Sequence, residues 1–68
     1  MIYLIGLRVV HEKLGNGTVA YIKHRNNCDD LITIKFDNII EHVKDSVYEN
    51  TKNTQRFLAS TDKLKELR

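Results

Sequence analysis

Proline and tryptophan are absent from this 68-residue chain, and cysteine occurs once. The lone Cys28 excludes an intrachain disulfide, and with it the stapled scaffold on which small secreted domains depend. A reducing, cytoplasmic setting is therefore the expectation. Aromatic residues are few. With Phe36 and Phe57 assigned to the core, only Tyr3, Tyr21 and Tyr48 remain, too few to build a methyl-lysine cage around one cation. Long apolar runs are missing too. Met1, Ile2, Tyr3, Leu4 and Ile5 are halted by Gly6 and Arg8, too early for a signal-peptide core or a bilayer span. There is no low-complexity tract, internal repeat or linker, so residues 1–68 read as a single domain. The formal charge of +2 permits contact with nucleic acid without demanding it, because a dedicated binder carries a dense basic stripe.

Three β-rich runs separated by two turn signals dominate what is there, and they predict an antiparallel meander. From Leu7 to Glu12, the side chains of Leu7, Val9 and His11 share one face, and those of Arg8, Val10 and Glu12 the other. Gly15, Asn16 and Gly17 follow, residue types that tolerate the positive φ of a tight reversal. This Gly-x-Gly opens no helix, so it lacks the context of a phosphate-binding loop. In the run from Thr18 to Arg25, Val19 and Ile22 both read as buried, yet they lie three apart. A bulge or strong bend near Ala20 and Tyr21 is expected, of the kind that curls a short sheet into a barrel. A polar turn from Asn26 to Asp30 holds Cys28, where Asp29 and Asp30 oppose thiolate formation. Leu31 to Phe36 alternates cleanly, with Ile32, Ile34 and Phe36 on one side. Asp37-Asn38 supplies a turn, and a fourth strand is expected from Ile40 to Lys44, either face of which could be inward. The apolar residues 1–5 are expected to close the sheet; left as an exposed edge they would invite pairing with a second copy of the chain.

After residue 45 the pattern changes. Ser46-Val47-Tyr48-Glu49 matches a capping box, which predicts a helix to about Ala59. The middle, from Asn50 to Gln55, is polar and rich in weak helix formers. Residues 46–60 therefore read either as one helix docked at its ends or as a loop and a short helix. A last short helix carries Leu64 and Leu67.

The segment from Gly6 to Val19, followed by Ile32-Thr33-Ile34-Lys35-Phe36, resembles the C-terminal Tudor-like module of UvrD/PcrA-type bacterial DNA helicases. The shared pattern is a glycine, a valine-x-histidine strand, a glycine-x-glycine turn and a strand ending in phenylalanine. The chain is also similar to small standalone relatives with a C-terminal helix that ends in a phenylalanine-leucine pair, here Phe57-Leu58. It departs at Leu14, where that family usually has phenylalanine, and in its polar segment from Asn50 to Gln55. The resemblance implies a mainly β, SH3-like (Tudor-like) antiparallel barrel of four to five strands (residues 1–45) with a helical C-terminal segment (residues 46–68). It is related in architecture to the RNA-polymerase-interacting domain of CarD. It also implies a module that binds partners, including RNA polymerase and nucleic acid, in transcription or DNA repair.

The chemistry-bearing residues argue against an enzyme. Ser46 and Ser60 are better explained as helix caps than as nucleophiles, the carboxylates are scattered, and a thin barrel has little room for a substrate pocket. His11, His24 and His42 are too far apart in sequence for a local metal-ligand pair, so no metal or other cofactor is expected. His11 reads instead as a ring that packs over the turn and bonds to backbone. Two binding surfaces remain. One is a protein-interaction surface of His11, Lys13, Leu14 and Asn16, with Tyr21. The other is a nucleic-acid surface of Arg8, Lys23, Arg25, Lys35 and Lys44 on the outer side of the meander. Because a chain this short buries only about 60% of its unfolded surface, its core is thin, and a partner or self-association would help it.

Overall fold

The alternating apolar pattern becomes seven β-strands in a computed structural model that describes residues 1–44 and 49–67. The strands are β1 Arg8–His11, β2 Gly15–Lys23, β3 Leu31–Phe36, β4 Glu41–Lys44, β5 Glu49–Lys52, β6 Thr54–Leu58 and β7 Leu64–Glu66. Five of them form one antiparallel sheet in the order β6-β3-β2-β1-β7, and β4 pairs with β5 as a separate ribbon. The small mainly β architecture and the β1–β2–β3 meander are those expected from the alternation, and β3 has the expected bounds.

One face of the large sheet makes the core. Val9, Val19, Ile32, Ile34, Phe36 and Leu64 are buried, and Tyr3, Leu7, Leu14, Ile22, Ile40, Phe57 and Ala59 pack around them. Val19 and Ile22 both turn inward because the β2–β3 register shifts between Val19 and Tyr21. Val19 pairs with Ile34, Tyr21 pairs with Thr33, and Ala20 is the extra residue. This is the expected bulge, and it lets an odd spacing serve one face.

The first hairpin differs from the expected turn. Glu12 to Leu14 form the reversal, and Gly15, Asn16 and Gly17 already belong to β2. Gly15 has φ of 85°, as a tight reversal requires. Gly17 has another reason to be glycine. It is buried, and a Cβ there would stand 2.7 Å from Ile34 Cγ2 and 3.0 Å from the Lys35 carbonyl oxygen.

Residues 1–4 add no strand, which corrects the expectation that residues 1–5 close the sheet. The Leu7 amide donates to the Leu4 carbonyl across a turn in which Gly6 has φ of 94°. Tyr3 packs on the core, but Met1, Ile2, Leu4 and Ile5 are exposed.

The C-terminal helix is also corrected. Residues 45–48, and so most of the proposed capping box, lie outside the described residues; from Glu49 to Leu58 the chain forms β5 and β6. There is no helix among the described residues. The weak helix formers yield to tertiary pairing, because β3 has a free row of backbone groups that β6 satisfies from Leu31↔Leu58 to Lys35↔Thr54. Asn53 fixes the junction: its carbonyl accepts from the Phe36 amide at 2.6 Å, and its side-chain amide donates to the Phe36 carbonyl at 3.2 Å. The last segment is likewise strand β7, which pairs with β1 and buries Leu64 opposite His11. Ser60 caps no helix. Its amide donates to Asp29 Oδ2 at 2.7 Å, joining the β6–β7 turn to the β2–β3 turn.

Candidate nucleic-acid interface

Directly paired residues in an antiparallel sheet point to the same side, so the registers sort the side chains of the outer face into rows. One row runs Arg8, Thr18, Lys35, Thr54. The next runs Tyr21, Thr33, Arg56, and the third Lys23, Leu31, Leu58. β7 adds Lys65 beside Val10. None of these outward strand residues is acidic.

The cations differ in their freedom. Arg8 is engaged: its Nη1 and Nη2 donate to the two Asp37 carboxylate oxygens at 2.8 and 2.7 Å, and Nη1 also reaches Thr18 Oγ1 at 2.8 Å. This bonding raises the Arg8 pKa and holds Asp37 below the usual carboxylate range. Arg25 is engaged as well, since Nε and Nη2 donate to the Asp29 carbonyl at 3.0 and 2.7 Å and brace the β2–β3 turn. Lys23 and Lys35 are exposed, and neither makes an ion pair among the described residues. Lys44 belongs to β4, in the separate ribbon and not in the five-stranded sheet. Of the five expected nucleic-acid contacts, the fold thus leaves Lys23 and Lys35 on one face with their charges available.

Arg56 completes this group and was hidden from the sequence reading by the expected helix. Read with a period of two from the inward Phe57, it turns outward onto the row of Tyr21 and Thr33. It lines a shallow hollow of about 230 Å³ with Thr33, Lys52, Thr54 and Gln55. Two cations and three neutral hydrogen-bonding residues with no acid make that hollow suited to a phosphate oxygen. Elsewhere the charges are mixed: a hollow of about 530 Å³ beside Lys65 also contains Glu12 and Asp62.

The expected protein-interaction residues do not form one surface. His11 Nδ1 accepts from the amides of Lys13 and Leu14 at 3.0 and 3.1 Å, so the ring braces the turn in the way its position suggests. With Nδ1 accepting, the proton of the neutral ring is placed on Nε2. The ring also packs on Phe36 and Phe57, with centroids 6.2 and 5.5 Å away. Leu14 packs against the core, whereas Lys13 and Asn16 are exposed. Tyr21 belongs to the other group: it is 58% exposed and stands on the cationic face.

Among the described residues, no three His, Cys, Asp or Glu side chains gather as a metal-holding group. His24 Nδ1 meets Asp30 Oδ2 at 2.9 Å, an exposed pair within the turn. No helix among the described residues is long and apolar enough to cross a membrane. Comparison with known protein families, with curated proteins and with solved structures finds no match for this chain.

Proposed function

We propose that the chain is a non-enzymatic binding module whose outer sheet face, centred on Lys23, Lys35 and Arg56, contacts the phosphates of a nucleic acid. The observation that supports this reading is the sorting of charge. A chain of net charge +2 places Arg8, Lys23, Lys35 and Arg56 on one face of its sheet, and Asp37, which lies beside Arg8, is paired with it. Such a face gives sequence-tolerant binding that weakens as salt rises. Lys35→Glu and Arg56→Glu together should abolish binding of a short labelled oligonucleotide while leaving the thermal midpoint nearly unchanged, because both side chains are exposed. Unaltered affinity in the double variant would refute the reading.

A second reading is protein interaction, with RNA polymerase or a helicase-type protein as partner in a cytoplasmic transcription or repair assembly. The return of β7 to β1 leaves β6 and β7 as sheet edges, and a short hollow of about 250 Å³ opens beside them between His11, Lys13, Gln55 and Phe57. Edge strands take up a partner strand through main-chain hydrogen bonds. This reading goes with the resemblance to the Tudor-like helicase module and with the SH3-like barrel it implies, to which a bulged meander and a returning strand would be suited. Pull-down of polymerase or helicase by the wild-type chain, lost on blocking β6, tests it.

A further inference from the structure

The bulge at Ala20 decides where Tyr21 points. With unbroken alternation from the buried Val19, Tyr21 would lie on the core face. The extra residue turns it outward, opposite Thr33, and returns Ile22 to the core opposite Ile32. Re-aiming a side chain is a recurrent use of bulges. The residue delivered to the surface here is the one exposed large aromatic in the five-stranded sheet among the described residues. Lys23 lies two residues along the same strand, about 7 Å away, and Arg56 two strands across, about 10 Å away. Lys35 is diagonal to it.

We infer that the ligand of this face is single-stranded nucleic acid, with an unpaired base stacked on Tyr21 and the flanking phosphates held by Lys23, Lys35 and Arg56. The inference rests on the nucleic-acid reading above and adds the class of ligand. A duplex offers phosphates but hides its base faces, so it would leave the Tyr21 ring unused; a single strand offers both. The described residues hold no helix to enter a major groove. The β4–β5 ribbon, the other element of suitable width, pairs Glu41 directly with Lys52, so that an acid stands beside the cation a phosphate would seek. The broad sheet face, with one aromatic set among cations, has the two components of a stacking platform: a π-face that accepts any base and charges that follow the backbone.

The test is fluorescence anisotropy with a labelled, mixed-sequence DNA strand of about 12 nucleotides, within the range of single-strand sites. The RNA counterpart, the matching duplex and a polyglutamate competitor are run beside it, between about 50 and 200 mM salt. The single strand should bind more tightly than the duplex. Tyr21→Ala should weaken single-strand binding about tenfold, Tyr21→Phe should retain it, and duplex binding should be indifferent to both. Ring-proton shifts of Tyr21 in the wild-type chain should move on adding the strand, a readout independent of the folding of any variant. Equal affinity for duplex and single strand, or salt-dependent binding in which the Tyr21 ring does not respond, would overturn the inference and leave the phosphate-binding reading intact. No binding to any oligonucleotide, or equally effective competition by polyglutamate, would overturn both.

Discussion

Single residues show most clearly what local chemistry fixes. His11 was readable because a histidine at a strand end has few uses, and bracing the backbone of the next turn is one of them; the bonds from Lys13 and Leu14 to Nδ1 are that use. Gly17 was readable only as a glycine. Its role depends on Ile34, Lys35 and Phe36, which meet it across the β2–β3 pair and cannot be identified as neighbours from local sequence. The distinction has a consequence. At Gly15 the backbone needs positive φ while space is open, whereas at Gly17 the backbone is ordinary and space is missing. Gly17→Ala should therefore destabilise the fold by about 1–3 kcal/mol, as overpacked core positions do, and Ile34→Leu in the same chain should recover part of the loss, because leucine has no branch at Cβ and so lacks the Cγ2 methyl that crowds this position. Urea unfolding of the single and double variants measures this. Equal stability of Gly17→Ala and the wild type would mean that β3 shifts freely, against the close packing described.

At the scale of elements, alternation revealed β1, β2, β3 and the bulge, since their burial pattern is written in adjacent residues. It failed for β5, β6 and β7. In β6 the exposed Thr54, Gln55 and Arg56 carry no alternation of hydrophobicity, and strand formation follows from the open edge of β3 rather than from local preference; β5 and β7 pair in the same way with β4 and β1. The same pairing explains why Arg56, a basic residue of the candidate site, is not legible in its local sequence whereas Lys23 and Lys35 are. Elements distant in sequence are also tied through turns. Hydrogen bonding from Ser60, from its side chain first and its backbone second, holds the Asp29 carboxyl below its ordinary range. Asp37 is held low by its hydrogen bonds from Arg8. A carboxyl with a lower pKa in the folded chain binds its proton more readily when unfolded. These links therefore contribute stability above the ordinary Asp value of about 3.9, and that contribution is lost as pH falls through the depressed folded values. Thermal midpoints followed from neutral pH into this acid range should fall less steeply for Asp29→Asn and Asp37→Asn than for the wild type. Parallel curves for all three chains would show that neither link contributes to acid sensitivity.

For the whole molecule, a net charge of +2 concealed two surfaces of different character, a cationic sheet face and an apolar segment before β1. Composition cannot express the cationic face, because it arises when strands far apart in sequence are brought side by side. The outer sheet face carries cations with Tyr21 and Leu58 set singly among them, whereas the segment before β1 holds a run of exposed apolar side chains and no charged one. Met1, Ile2, Leu4 and Ile5 are 57%, 82%, 64% and 67% exposed, while Tyr3 between them packs on the core. Neighbouring exposed large apolar side chains favour association, and the thin core of a small domain gains from it. The two surfaces respond to salt in opposite ways. Phosphate binding weakens as ions screen and compete, whereas apolar contact between two copies is unweakened by salt. Sedimentation of the wild-type chain should show a concentration-dependent rise in mass that persists at high salt. Ile2→Glu with Leu4→Glu should abolish it, while retaining Tyr3 keeps the core contact intact. The same double variant should bind oligonucleotide with reduced affinity, since two acids lower the net charge, but with an undiminished response to Tyr21→Ala. A wild-type chain that stays monomeric at all concentrations would refute self-association through this segment and leave the sheet face as the surface to pursue.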